Sequence, residues 1–128
     1  MRVLLDTHAV VWVLREPDRL SDRARAVIED PGSVVVVSVV SLWEIVTKTT
    51  VGKMKIGQDV RSWLADEGIV ELPVTGDHTR ALADLPLHHR DPFDRMLVAQ
   101  ARHEGLTLVT ADRRLEVYSV AVMRADGT

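Results

Sequence analysis

The feature that most constrains this chain is its alternation of short, continuous apolar runs with segments of helical periodicity. Val3-Leu4-Leu5, Ser33-Val34-Val35-Val36-Val37, Ile69-Val70-Glu71-Leu72 and Leu106-Thr107-Leu108-Val109 read as strands, and Tyr118-Ser119-Val120-Ala121-Val122 as a fifth at an edge. β-branched side chains are stiff at χ1 and sit well on a pleated surface. Runs that are apolar throughout, rather than alternately, belong to strands covered on both faces. Between them lie helical patterns. Ala24, Val27 and Ile28 recur at helical spacing from Ser21 to Asp30; Leu42, Ile45 and Val46 mark a second helix, and Val60, Trp63 and Leu64 a third. Asp91 to Glu104 is the clearest, with Asp91 as N-cap, Pro92 at the first helical position and Gly105 as the stop. The pattern predicts an α/β fold: a three-layer α/β/α sandwich around a mostly parallel sheet, in one domain spanning 1–128.

Composition narrows the chemistry. A chain of 128 residues can bury a core without staples, and the absence of cysteine excludes disulfides, thiolate zinc sites and cysteine nucleophiles. A formal net charge of −3 argues against holding nucleic acid by bulk positive charge, but not against holding phosphates through a metal. Asp6 follows the first apolar run too soon for a signal peptide, and no apolar run approaches a membrane span, so a cytoplasmic protein is expected.

Ligands of open α/β sheets bind at the carboxyl ends of the strands. Asp6 directly follows the first strand. Ser38 follows the second and leads into the helix bearing Glu44. The long helix opens with Asp91-Pro92-Phe93-Asp94, and Thr110-Ala111-Asp112 follows the fourth strand. In a parallel sheet Asp6, Glu44, Asp94 and Asp112 would converge on one edge. Each also has a purely structural reading. Ser41-Leu42-Trp43-Glu44 matches a capping box, unless Ser38 is the N-cap and Glu44 lies two turns in. Asp91 reads as a cap, Asp94 as a favourable first-turn charge, and Asp112 as a cap for the segment after it. Asp6 is hardest to explain this way, because a carboxylate beside a buried strand is costly to desolvate.

Two carboxylates about 4 Å apart repel by roughly 4 kcal/mol at an effective dielectric of 20. Four in one pocket require a countercharge, and an all-oxygen site favours Mg²⁺ or Mn²⁺ over zinc. Phosphodiester hydrolysis suits such a site.

Leu4-Leu5-Asp6-Thr7-His8, Ser38-Val39-Val40-Ser41-Leu42-Trp43-Glu44, His89-Arg90-Asp91-Pro92-Phe93-Asp94-Arg95 before Leu97-Val98-Ala99-Gln100-Ala101, and Leu108-Val109-Thr110-Ala111-Asp112 together resemble the PIN-domain family, and within it the VapC-type toxins. No one of these motifs is specific; the ordered set spans essentially the whole chain. The resemblance implies a parallel-sheet α/β/α sandwich and an endoribonuclease that uses Mg²⁺ or Mn²⁺ to cut single-stranded or loop RNA. It implies that Asp6, Glu44, Asp94 and Asp112 are the metal-binding acids, with Thr7 and Thr110 as accessory hydroxyls. It also implies a homodimer and a cognate antitoxin protein. Because Arg pairs bidentately with carboxylates, an Arg- or Lys-bearing antitoxin segment is expected over the acids.

Lys48, Lys53, Lys55, Arg113 and Arg114 are candidate contacts to RNA phosphates, or else solvated surface. His88 and His89 read as loop residues, since no second His or Cys pair completes a zinc site. Trp12, Trp43 and Trp63 read as core or interface residues rather than base-stacking platforms. Two other readings compete: a non-catalytic PIN-fold RNA- or protein-binding module, and a receiver-like signalling domain. The latter wants adjacent acids after the first strand, where Asp6 stands alone.

Overall fold

The fold follows from strands that are apolar on both faces. The computed structural model describes residues 1–54, 56 and 59–127. Five strands, β1 (Arg2–Leu5), β2 (Val34–Ser38), β3 (Val70–Leu72), β4 (Thr107–Thr110) and β5 (Val122–Arg124), form one sheet in the order β3-β2-β1-β4-β5. Every pairing is parallel, with Leu4 opposite Val36 on one side and Leu108 on the other.

Successive side chains point to opposite faces, and the core divides accordingly. Val3, Leu5, Val35, Val37 and Val109 join a cluster with α1 (Thr7–Arg15), α2 (Asp22–Glu29), α3 (Val39–Thr50) and α4 (Val60–Asp66). Leu4, Val36 and Leu108 face a second cluster rich in residues of α6 (Pro92–Glu104), against which α5 (Gly76–Ala83) packs. This is the three-layer sandwich expected from the sequence. Trp12 is buried and Trp63 packs on the same cluster, as expected. Trp43 lies outside the core: it is 64% exposed, with its ring edge-on to Phe93 at 4.9 Å between centroids, which leaves the interface half of that reading.

The fifth strand lies at an edge, as read, but starts only at Val122. Tyr118 is drawn into the core instead, where its hydroxyl accepts from the His89 backbone N–H at 2.9 Å. The helix α5 has no counterpart in the sequence reading. Its fully buried side chain is His78, a residue that breaks the apolar pattern a helix signal depends on.

Candidate metal centre

The chain order reverses across β1: β2 and β3 lie to one side, β4 and β5 to the other. Such a switch point opens a crevice at the carboxyl ends of the strands. Asp6 sits there, its backbone N–H donating to the Val109 carbonyl at 3.0 Å, so the ends of β1 and β4 are tied together.

Asp6 does two things at once. Its Oδ1 caps α1 by accepting from the Ala9 N–H at 2.8 Å, and its Oδ2 accepts from the Thr110 hydroxyl. Thr110 Oγ1 also accepts from the Asp112 N–H at 3.0 Å, so one hydroxyl holds two of the four acids in place. Asp6 is almost fully buried, and burial raises its pKa above the ordinary carboxylate value against the lowering effect of those two hydrogen bonds.

Glu44 settles the competing helix registers. Ser38 is the N-cap of α3, accepting from the Val40 N–H at 3.0 Å, and Glu44 lies in the second turn, buried and pointing across to α1. Thr7 donates to its Oε1 at 2.6 Å, and Lys48, one turn on, binds its Oε2 at 2.6 Å. Ser41, free of any capping duty, lies 3.0 Å from the Thr7 hydroxyl.

Asp91 is the N-cap of α6, accepting from the N–H groups of Phe93 and Asp94. That leaves the Asp94 carboxylate available to the crevice. Its pKa is raised from 3.8 to about 6, first by desolvation and then by the charges of Asp91, Asp6 and Glu44. Asp112 caps the 3₁₀ turn Arg113–Val117 and is clasped bidentately by Arg114, at 3.0 and 2.9 Å. That clasp holds its carboxyl below the usual range. The four acids thus feel one another's charge: Asp6 with Asp112, and Asp94 with both Asp6 and Glu44.

One participant has no signal in the spacing. His89, only 9% exposed, places Nε2 3.0 Å from Asp94 Oδ2 and 3.6 Å from Asp112 Oδ2. The ligand-capable atoms of these three residues lie within 4.8 Å of one another. His89 does lie in a loop, as read, but the sequence did not show the carboxylates it faces, one on α6 and one after β4, which only folding brings to it. His88 does stay peripheral, its ring edge-on to Tyr118 at 5.4 Å.

The candidate phosphate contacts divide. Lys48 and Arg114 are engaged with Glu44 and Asp112. Lys53 and Arg113 are exposed, and Lys55 lies outside the described residues. A cavity of about 520 Å³ lined by Val13, Leu20, Val35, Trp63 and Ile69 opens near the amino ends of β2 and β3 and carries none of the acids.

The ligand atoms of Asp94, Asp112 and His89, with Asp6 and Glu44 near enough to act on Asp94 through their charge, have the chemistry of a divalent-cation site. Two of the acids have pKa values raised by burial, and Asp94 is further raised by its acidic neighbours, a cost that a cation of charge +2 removes.

Comparison with known proteins bears on the fold and the family. The structure of VapBC2 from Rickettsia felis bound to a promoter DNA fragment superposes with a TM-score of 0.74 over 98% of this chain and 100% of that one, at 18% identity. DNA-bound VapBC from Salmonella typhimurium gives 0.67 over 97% and 98%, also at 18% identity. At these identities the likeness is one of fold. In sequence the chain is 34% identical over 116 residues, 88% of each protein, to Ribonuclease VapC22 of Mycobacterium tuberculosis. Residues 3–121 match the PIN domain, the stretch that runs from the strand before Asp6 to the segment beyond Asp112; this protein belongs to the PIN-domain family.

Proposed function

We propose that this protein is a Mg²⁺- or Mn²⁺-dependent endoribonuclease acting as the toxin of a toxin–antitoxin pair. The observation that supports the reading is that Asp94 and Asp112 meet beside His89 at the carboxyl ends of the strands, with Asp6 and Glu44 close enough for their charges to act on Asp94, whose carboxyl is pushed up to about 6 by burial and its acidic neighbours. The relative named as a ribonuclease and the structural neighbours named as VapBC complexes support it.

In this reading the four acids hold the ion. When bound, a divalent cation supplies an activated water and charge stabilisation for the leaving oxygen of a phosphodiester. The chain's own groups prepare the site. Thr7 fixes Glu44, and Thr110 fixes Asp6 and the backbone before Asp112. Lys53 and Arg113, exposed on the surface, and Lys48 and Arg114, beside the acids they pair with, are the candidate contacts to phosphates along the strand. Loops and single strands expose phosphates and bases that an open crevice can reach, whereas an A-form duplex hides its base edges. An antitoxin segment bearing Arg or Lys over the acids would silence the enzyme, and a homodimer is the working state.

The test is end-mapping by sequencing of a loop-bearing RNA and a perfect duplex after incubation with the protein. Cleavage at loops in Mn²⁺, abolished by chelator and by Asp94→Asn, is expected. Cutting that persists in chelator and in the variant overturns the metal site. Equal cutting of duplex and loop overturns the substrate class. Solution mass at tens of micromolar reads the oligomer, and a monomer removes that part.

A further inference from the structure

We propose that His89 is a direct ligand of the bound divalent cation through Nε2, making the centre a mixed oxygen–nitrogen site. The inference rests on the reading that the acids hold such an ion, and extends it to a residue outside the carboxylate quartet.

His89 Nε2 faces two carboxylate oxygens from different elements, at 3.0 Å from Asp94 and 3.6 Å from Asp112. Neighbouring ligands of an octahedral ion at about 2.1 Å stand about 3 Å apart, so these donors need little movement to share one. The ring is also pre-positioned. Its backbone N–H is held by the Tyr118 hydroxyl at 2.9 Å, and the adjacent His88 ring packs edge-on against that same tyrosine. The ring is nearly buried, so the direction of Nε2 is set by packing rather than by solvent. Among the described residues this is the one group of three potential ligands whose atoms approach so closely. The charge of His8 acts on Asp6, but the His8 side chain is exposed. His78 is spent elsewhere, between Thr75 and Glu104.

An imidazole changes the ion the site prefers. Carboxylate and water suit Mg²⁺ and Mn²⁺ alike, while a nitrogen donor favours the transition metal. His89 therefore tilts the centre toward Mn²⁺ relative to Mg²⁺.

Pulsed electron paramagnetic resonance of Mn²⁺ bound to untagged protein tests this without reference to activity. Wild type is expected to show ¹⁴N modulation from a coordinated imidazole. The signal should vanish in His89→Asn, persist in His8→Asn, and be accompanied in His89→Asn by a larger loss of Mn²⁺ than of Mg²⁺ affinity. Wild-type protein that binds Mn²⁺ without ¹⁴N modulation, or modulation that survives His89→Asn, overturns the assignment and leaves the carboxylate site standing. Failure of wild type to bind Mn²⁺ at all overturns the underlying reading as well.

Discussion

Asp94 concentrates the electrostatic strain of the site in one side chain. Its carboxyl is held at about 6 in the fold against an ordinary 3.8, so between those values the folded protein binds more protons than the unfolded chain. Metal-free stability therefore falls as pH rises from about 4 to 6 and is level, for this group, above that. The buried Asp6, also raised, acts in the same direction. Asp112 acts oppositely, since its lowered pKa contributes stability that is lost only at more acid pH. Asp94→Asn removes its share of this pH dependence. In chelator, its melting temperature relative to wild type should climb steadily from pH 4 to 6; a constant difference across that range would show that Asp94 is not strained. Thr110 presents the converse case. Thr110→Val keeps the shape but leaves the Asp6 carboxylate and the Asp112 N–H each short of a buried partner. A loss of about 1–3 kcal/mol in denaturant unfolding is expected. His89 shows the limit of reading single residues: nothing within a few positions of it marks it as facing two carboxylates.

At the scale of elements, capping and chemistry share the same residues. Asp91 caps α6 and so frees Asp94, and Asp6 caps α1 with one oxygen while turning the other to Thr110. The two substitutions should therefore separate. Asp91→Ala loses the cap and should cost about 1 kcal/mol in chelator and in Mn²⁺ alike. Asp6→Asn retains an Oδ1 that can cap Ala9 but discards a buried charge. Its metal-free stability should be unchanged or higher. If both variants lose equal stability in both buffers, Asp6 is a cap and no more. At its other end α6 stops at Gly105, whose φ of 67° lies in the left-handed region. Gly105→Ala meets no clash, the nearest atom to its Cβ being an Arg2 nitrogen at 3.9 Å, so the expected loss is the conformational penalty alone, about 1 kcal/mol. The cap, the proline and this glycine made α6 legible from sequence. The helix α5 was not, because its anchor is the hydrogen-bonded pair of buried His78 and Glu104 rather than an apolar stripe.

For the whole molecule, the test is linkage. A cation that binds only the folded chain adds RT ln(1 + [L]/Kd), about 2.7 kcal/mol at a hundredfold excess over Kd. Millimolar Mn²⁺ should raise the melting temperature of wild type, and Asp6→Asn should forfeit most of that gain. No rise in wild type would mean that the four acids do not act as one site. The effect belongs to the whole fold because its ligands come from the ends of β1 and β4 and from two helices packed against different regions of the sheet, so no fragment carries the site.

Much of this was written in local chemistry. Short, continuous runs rich in β-branched residues point to strands covered on both faces, and their alternation with helical segments to a parallel sheet in three layers. The carboxyl ends of those strands then mark where acids collect. The tertiary structure decided what depends on distant partners. It drew Tyr118 into the core and delayed the last strand to Val122. It chose Ser38 over Ser41 as the cap of α3 and so turned Glu44 inward. It left Trp43 in solvent, and it placed His89 between acids from two other segments. Periodicity reports burial averaged over a face, whereas hydrogen bonds and ligand geometry depend on single atoms that meet only once the chain has closed on itself.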